Sequence, residues 1–390
     1  MKTDEAGISS RSGCPGVVRA RRGVRVGRVS LAFLVLGASG SLMAQEADKL
    51  VIENETVRIV LDAQRGRMLE FLPKGPGVRN VLWVNTDGRR EAEAAQAGYQ
   101  NWGGDKVWPT PQPFWRYALG RVWPPDETTD GGAARGMQLG SRRARLVFPL
   151  SAAFQTRLER DFELEPERAV LRIRNRVVQE RPSPFPVQIW SITQVPLPVR
   201  VLFDVAPDAP PLGQPVNLNG LRTKPPLGPV ALAEGAIARG EMWVAFRPGA
   251  AFRQKLGTLG RWIAGVWPDG VLLQSVAFAP QGLYPEATSL QLYHDDRYAE
   301  LETLGPARLL APGEECEALV IWQWLPAPAQ DESDAELAQR LGAAHRAAWA
   351  GESAKARLAP QSPHGNTVVE SVVPAAEMLV MQSPCAGRER

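Results

Sequence analysis

Histidine and cysteine are scarce: three of each in 390 residues. No Cys/His spacing resembles a zinc site, and three imidazoles are too few for a multi-histidine centre, so neither a metal nor a cofactor is expected. Cys14 falls in the amino-terminal leader, leaving Cys316 and Cys385. These two could pair in an exported chain, while a lone buried Cys316 is the plainer arrangement. A charge surplus is also missing. With 45 Lys and Arg against 42 Asp and Glu, the formal charge is only +3. A dedicated nucleic-acid binder concentrates basic residues against phosphate, so no nucleic-acid partner is expected. The chain has no Gly-x-Ser-x-Gly elbow, phosphate-binding loop or dinucleotide fingerprint. No apolar run approaches the roughly 20 residues of a membrane-spanning helix.

The amino terminus reads as an export signal. Arg19 to Arg28 is a basic run, Val29 to Ala38 is apolar and uncharged, and small polar residues follow up to Ala44. That order matches a secretory signal peptide over residues 1–44, with cleavage after Ala44. The mature protein is then expected in the periplasm or secreted, with no membrane contact beyond the signal segment.

Glycine and proline, by contrast, are plentiful at 36 and 34 residues. From Leu50 to Trp324 they interrupt the chain about every 8–12 residues, the punctuation of an all-β sandwich or barrel. Between the breaks lie short alternating runs. In Leu171-Arg172-Ile173-Arg174 apolar and charged residues alternate, which gives a strand one buried and one wet face. The spacing predicts a meander of three strands at Thr156–Phe162, Ala169–Val178 and Val187–Val195. The fold class is therefore all-β: a large antiparallel β-sandwich over residues 45–330, followed by a short C-terminal helix within 331–350. Asp334 is placed to cap that helix, and Leu337, Leu341, His345 and Trp349 form its apolar stripe. The polar, aperiodic residues 351–390 read as a disordered tail.

Chemistry concentrates in three places. The first is Gln100 to Pro109 with its continuation to Trp123, holding four of the twelve tryptophans. Gly103-Gly104 permits a tight left-handed turn that would present Asn101, Asp105 and Lys106 together. Indoles such as Trp102 and Trp108 stack on apolar sugar faces, while Asn, Asp and Lys serve hydroxyls. The bland alternative is a Trp-rich lid packed on the sandwich. The second place is Val187 to Gln194, where Gln188, Trp190, Ile192 and Gln194 share one strand face. They either face a ligand or cover a solvated sheet. The third is Tyr284 to Glu314. Glu300 and Glu302 share a face, and a partly desolvated Glu302 is suited to be a general base. His294 with Asp295 and Asp296 reads as an exposed turn or as a ligand contact. Lys255 is a further cleft cation or a surface residue.

These segments resemble the galactose-mutarotase-like (aldose 1-epimerase-like) supersandwich superfamily. Within it the chain looks most like a bacterial domain family of unknown function with a recurrent Asn-x-Gly-Gly-Asp/His-x-x-Trp-Pro segment, matched by Asn101 to Pro109. The carboxy-terminal pattern Leu290 to Glu314 is similar to the wider superfamily. The resemblance implies that Glu302, in Leu301-Glu302-Thr303, is the sugar ring-opening base. The two epimerase histidines have no counterpart: Trp102-Gly103-Gly104-Asp105 and Trp190-Ser191 stand there, leaving Lys106, Asp105 or His294 as replacement acids.

Three readings follow. One is an exported carbohydrate-active enzyme, epimerase-like or lyase-like, using Glu302, Asp105 and Lys106. The second is a carbohydrate-binding module contacting a sugar or polysaccharide through Asn101, Trp102, Trp108, Trp190, Gln194 and His294. The third is a structural or envelope-interaction protein with the Trp loop packed internally.

Overall fold

The computed structural model describes residues 45–86, 99–206, 237–248 and 254–358. The expected leader with Cys14, and residues 359–390 with Cys385, lie outside the described residues. Two antiparallel sheets carry the fold, one of eleven strands and one of eight. The eight-stranded sheet runs, edge to edge, through Gln254–Thr258, Leu290–His294, Tyr298–Leu304, Trp190–Pro196, Asp105–Trp108, Arg67–Pro73, Val57–Asp62 and Lys49–Glu53. The centre of the other sheet is Thr156–Leu164, Val170–Gln179, Glu315–Leu325, Gly270–Val276 and Trp262–Trp267.

Alternation builds the core. In Val170–Gln179 the residues Leu171, Ile173 and Val177 are buried, while Arg174 is exposed between them. They meet Leu158 and Phe162 of their own sheet, and Ile59, Phe71, Val107, Val195, Leu292 and Leu301 from the facing one. Phe71 and Trp322 bridge the sheets with ring centroids 5.6 Å apart. Each such fully buried side chain contributes about 1.5–3 kcal/mol of transfer free energy, so the sandwich is held by this seam. Cys316 is buried in it as a free thiol.

Two expectations are corrected. The third strand of the expected meander does not continue the sheet of the first two. Thr156–Leu164 and Val170–Gln179 pair with each other, but Trp190–Pro196 lies in the facing sheet between Tyr298–Leu304 and Asp105–Trp108. The intervening Pro182, Pro184 and Pro186 carry no N–H and cannot extend a ladder, so the chain crosses over there. The helix also differs from expectation: it spans Asp334–Leu358 and so continues past Gly351. Its cap is Ser333. The hydroxyl of Ser333 accepts from the Glu336 N–H at 3.3 Å, and the Glu336 carboxylate accepts from the Ser333 N–H at 2.9 Å. That is a reciprocal capping box, and it frees Asp334 to pair with Arg200 and Arg247 at 2.7 and 2.6 Å. Leu337, Ala338 and Leu341 pack on Leu202, Trp262, Ala264, Val271 and Leu273, which alternate with the core residues and cover the outer face of the eleven-stranded sheet. Among the described residues no helix is long and apolar enough to cross a membrane.

Candidate functional site

Residues opposite one another on neighbouring strands share a face. In the eight-stranded sheet Lys106 lies opposite Ile192, Ile192 opposite Glu302, and Glu302 opposite Gln291. One row over, Gln194, Glu300, Tyr293 and Lys255 stand in line. All of these, with Trp108 and Trp190, therefore lie on the sheet face turned away from the sandwich core. Segments some two hundred positions apart in the chain meet there: of the four residues expected to converge, Lys106, Trp190 and Glu302 share this face and Asp105 does not.

Glu302 is the centre of this face and is 0% exposed. Its Oε2 accepts from the Trp190 indole N–H at 2.7 Å and from the Lys255 ammonium at 3.0 Å. Its Oε1 is buried and has no hydrogen-bond partner among the described residues. Burial, opposed by Lys255 and reinforced by Glu300, pushes the carboxyl up to about 7. Burial works the other way on Lys255, but Glu302, Glu286 and Glu300 outweigh it and hold the ammonium above its ordinary range. Lys255 also lies 4.4 Å over the Trp190 ring. Around the pair, Gln194 donates to Glu300 at 2.7 Å, and Gln291 donates to Glu286 at 2.6 Å.

The neighbouring cluster is built on Asp130. Its carboxylate pairs with Arg67 and, at 3.4 Å, with Lys106. It also accepts from the Trp108 indole at 2.8 Å and the Tyr99 hydroxyl at 3.2 Å. Lys106 in turn donates to Tyr99 at 3.0 Å. Burial favours the neutral acid, yet Lys106 and Arg67 overcome it and hold Asp130 below its ordinary range. Burial and Asp130 push the Tyr99 hydroxyl up to about 12. Lys106 is held above its usual value, because Asp130 and Tyr99 outweigh its burial.

Several predicted site residues go elsewhere. The Gly103-Gly104 turn is present, with φ of +79° and +75°, and a Cβ at either position would lie within 2.3 Å of a backbone carbonyl oxygen. The turn does not, however, present Asp105 and Lys106 together. It leads into a strand, Asp105–Trp108, and alternation sends the two side chains to opposite faces. Asp105 faces the core, where it pairs with Arg160 and accepts from Thr193 at 2.9 Å. Burial outweighs Arg160 and raises its pKa. His294 is also on the core side, 1% exposed and packed on Phe246 at 5.7 Å. Burial lowers its pKa, and the expected exposed turn begins only at Asp296.

The indoles are packed rather than presented. Trp108 and Trp190 meet edge to face at 4.8 Å, and Trp108 meets Trp115 at 4.9 Å. Lys106 covers the Trp108 ring at 4.7 Å. Asn101 is buried and donates to the Tyr298 hydroxyl at 3.2 Å. Trp102 sits apart, half-buried beside Arg65. Sequence reasoning missed Asp130, Arg67 and Tyr99, and it placed Glu286 in the third segment without a role. Asp130 precedes Gly131-Gly132 and reads as a turn residue, and nothing local marks Arg67 as its partner. Among the described residues no group of three or more His, Cys, Asp and Glu is placed to hold a metal ion.

No family model matches the sequence, and a search of curated proteins found no match. Among solved structures, the chain is similar to a galactose mutarotase-like protein from Lactobacillus casei, at 11% identity and a TM-score of 0.47, covering 71% of this chain and 99% of that one. A galactose mutarotase related enzyme from Lactobacillus acidophilus is 9% identical, with a TM-score of 0.46 and coverage of 73% and 99%. The Slr1438 protein of Synechocystis is 14% identical, with a TM-score of 0.45 and coverage of 71% and 96%.

Proposed function

We propose that this chain binds a sugar on the Glu302 face of the eight-stranded sheet and that Glu302 moves a proton there. The observation that carries the reading is the Glu302 carboxylate itself. Two donors fix one oxygen, the other is unpartnered among the described residues, and burial has pushed the group up to about 7. A carboxylate so tuned exchanges protons efficiently near neutral pH. An aldose reaches Oε1 only when the side chains that bury it move aside; the anomeric hydroxyl then gives its proton to Oε1, the bond from the anomeric carbon to the ring oxygen breaks, and an N–H donor protonates that oxygen. Lys255 is the donor beside the base, 3.0 Å from the Glu302 carboxylate, whereas Lys106 is turned to Asp130 and Tyr99. Tyr293, Gln194 and Gln291 are the neighbouring polar groups that would orient hydroxyls.

The test is mutarotation followed by polarimetry on D-galactose and D-glucose, together with sugar binding by ligand-observed NMR. Glu302→Gln is expected to abolish turnover and leave binding in place. Equal turnover by the variant removes the catalytic role. A non-catalytic, structural reading is favoured by one observation: both indole N–H groups of Trp108 and Trp190 are spent on buried carboxylates. It expects neither sugar binding nor turnover.

Export belongs to the same proposal. It is checked by amino-terminal sequencing of the periplasmic and secreted protein. A start at Gln45 is expected, and an intact Met1 overturns it.

A further inference from the structure

Trp102 is the one indole of the Asn101 to Pro109 motif that the Glu302 face does not use. It lines a separate cavity of about 400 Å³ at the end of the eight-stranded sheet. The cavity is formed by the start of Lys49–Glu53 and the hairpin turn that follows Val57–Asp62. That volume falls within the about 300–1,000 Å³ of small-ligand clefts.

Three features make this a site rather than a dent. The first is the ring itself, half-buried on the cavity wall with the Arg65 guanidinium 4.5 Å from its centroid, so a ligand would meet the ring beside that cation. The second is Gly131, whose φ is +87°. A Cβ there would lie 3.4 Å from the Trp102 Nε1 and 3.6 Å from its Cδ1, ordinary contact distances that place Gly131 against the edge of the ring. The third is the charge balance of the wall. Asp48 and Asp62 face Lys49 and Arg65, two acids against two bases. Asp62 is engaged by Arg65, and Asp48 by Gln64 at 2.7 Å. Lys49 has no carboxylate partner among the described residues.

A balanced wall of mixed donors and acceptors around an indole favours an uncharged polyhydroxyl ligand over an anion or a cation. We infer that this cavity is a second carbohydrate site, taking one neutral hexopyranose unit against Trp102. The indole N–H and the Lys49 ammonium donate to ring hydroxyls, and Asp48 and Gln64 accept from them. No residue of the Glu302 cluster lines the cavity, so this site stands or falls separately from the proton-transfer reading.

The experiment uses the full chain labelled with 5-fluorotryptophan, whose fluorine spectrum carries a signal from each indole. Trp102→Phe assigns the Trp102 signal and Trp190→Phe the Trp190 signal. D-Galactose and D-glucose are the probes, with galacturonate and sodium sulfate as anion controls. Both neutral sugars are expected to shift the Trp102 signal saturably. That shift should persist in Glu302→Gln, and Lys49→Met should weaken it about tenfold, the worth of one strong hydrogen bond. A Trp102 signal that ignores both neutral sugars, or answers only to the anions, overturns the inference. Movement of the Trp190 signal alone also overturns it, while leaving the Glu302 site standing.

Discussion

Asp130 and Glu302 are both buried carboxylates on adjoining parts of one protein, and they are treated in opposite ways. Asp130 faces two cations, Arg67 and Lys106, and receives further hydrogen bonds from Trp108 and Tyr99. Glu302 faces one cation, Lys255, has a second acid in Glu300 close by, and keeps one oxygen unpartnered among the described residues. The first is held ionised, and the second is lifted to about 7. The difference lies in the count of compensating donors, since both sites exclude water. Saturation produces a strut, and under-compensation leaves a group that can take up and release a proton.

The contrast breaks first at Asp130. Asp130→Asn keeps the shape and removes the charge, leaving Arg67 and Lys106 buried without their counter-ion. Uncompensated burial of this kind costs about 3–5 kcal/mol. Urea denaturation at neutral pH should show that loss. A variant within about 0.5 kcal/mol of the parent would mean that the cluster is not the strut described.

The second test concerns Glu302 and pH. Its folded pKa of about 7 lies above its ordinary value of 4.5, so the folded chain binds more protons than the unfolded one between those limits. Stability from this group is therefore full below about pH 4.5, falls as pH rises, and is lost above about pH 7. The shift is worth about 3 kcal/mol across that window. Glu302→Gln should flatten this part of the stability profile measured by urea melts at pH 4.5 and 8. An unchanged slope in the variant would assign the pH dependence to other groups.

Much of this was written locally in the chain. The Leu171-Arg172-Ile173-Arg174 alternation marks a half-buried strand, and a period of two places Trp190 with Gln194 and Glu300 with Glu302 on shared faces. Period two is a property of a few consecutive residues, so it survives without any knowledge of the fold. Which sheet a strand joins is a long-range property, and there the reading of three consecutive strands as one meander failed at Trp190–Pro196. Asp105 failed for a related reason. Two glycines advertise a turn so strongly that the four-residue strand after them is masked, and with it the alternation that parts Asp105 from Lys106. The Asp130 cluster joins residues 67, 99, 106, 108 and 130 through side chains alone, with no spacing rule to betray it.

The smallest effect sharpens the comparison most, because it tests redundancy. The Tyr99 hydroxyl accepts from Lys106 and donates to Asp130. Tyr99→Phe removes both bonds but leaves Lys106 its carboxylate, and leaves Asp130 the donors Arg67 and Trp108. No charge is orphaned, so the cost should be that of ordinary hydrogen bonds, about 1 kcal/mol, several-fold below that of Asp130→Asn. Thermal and urea melts of the two single variants and the double variant separate the cases. Once Asp130 is already Asn, Tyr99→Phe should cost more than it does alone, because the hydroxyl is then the acceptor left to the buried Lys106 ammonium. A cost for Tyr99→Phe as large as that for Asp130→Asn would mean that the hydroxyl, and not the ion pairs, holds the cluster together, and the distinction between strut and proton carrier would then need a different physical basis from the count of donors.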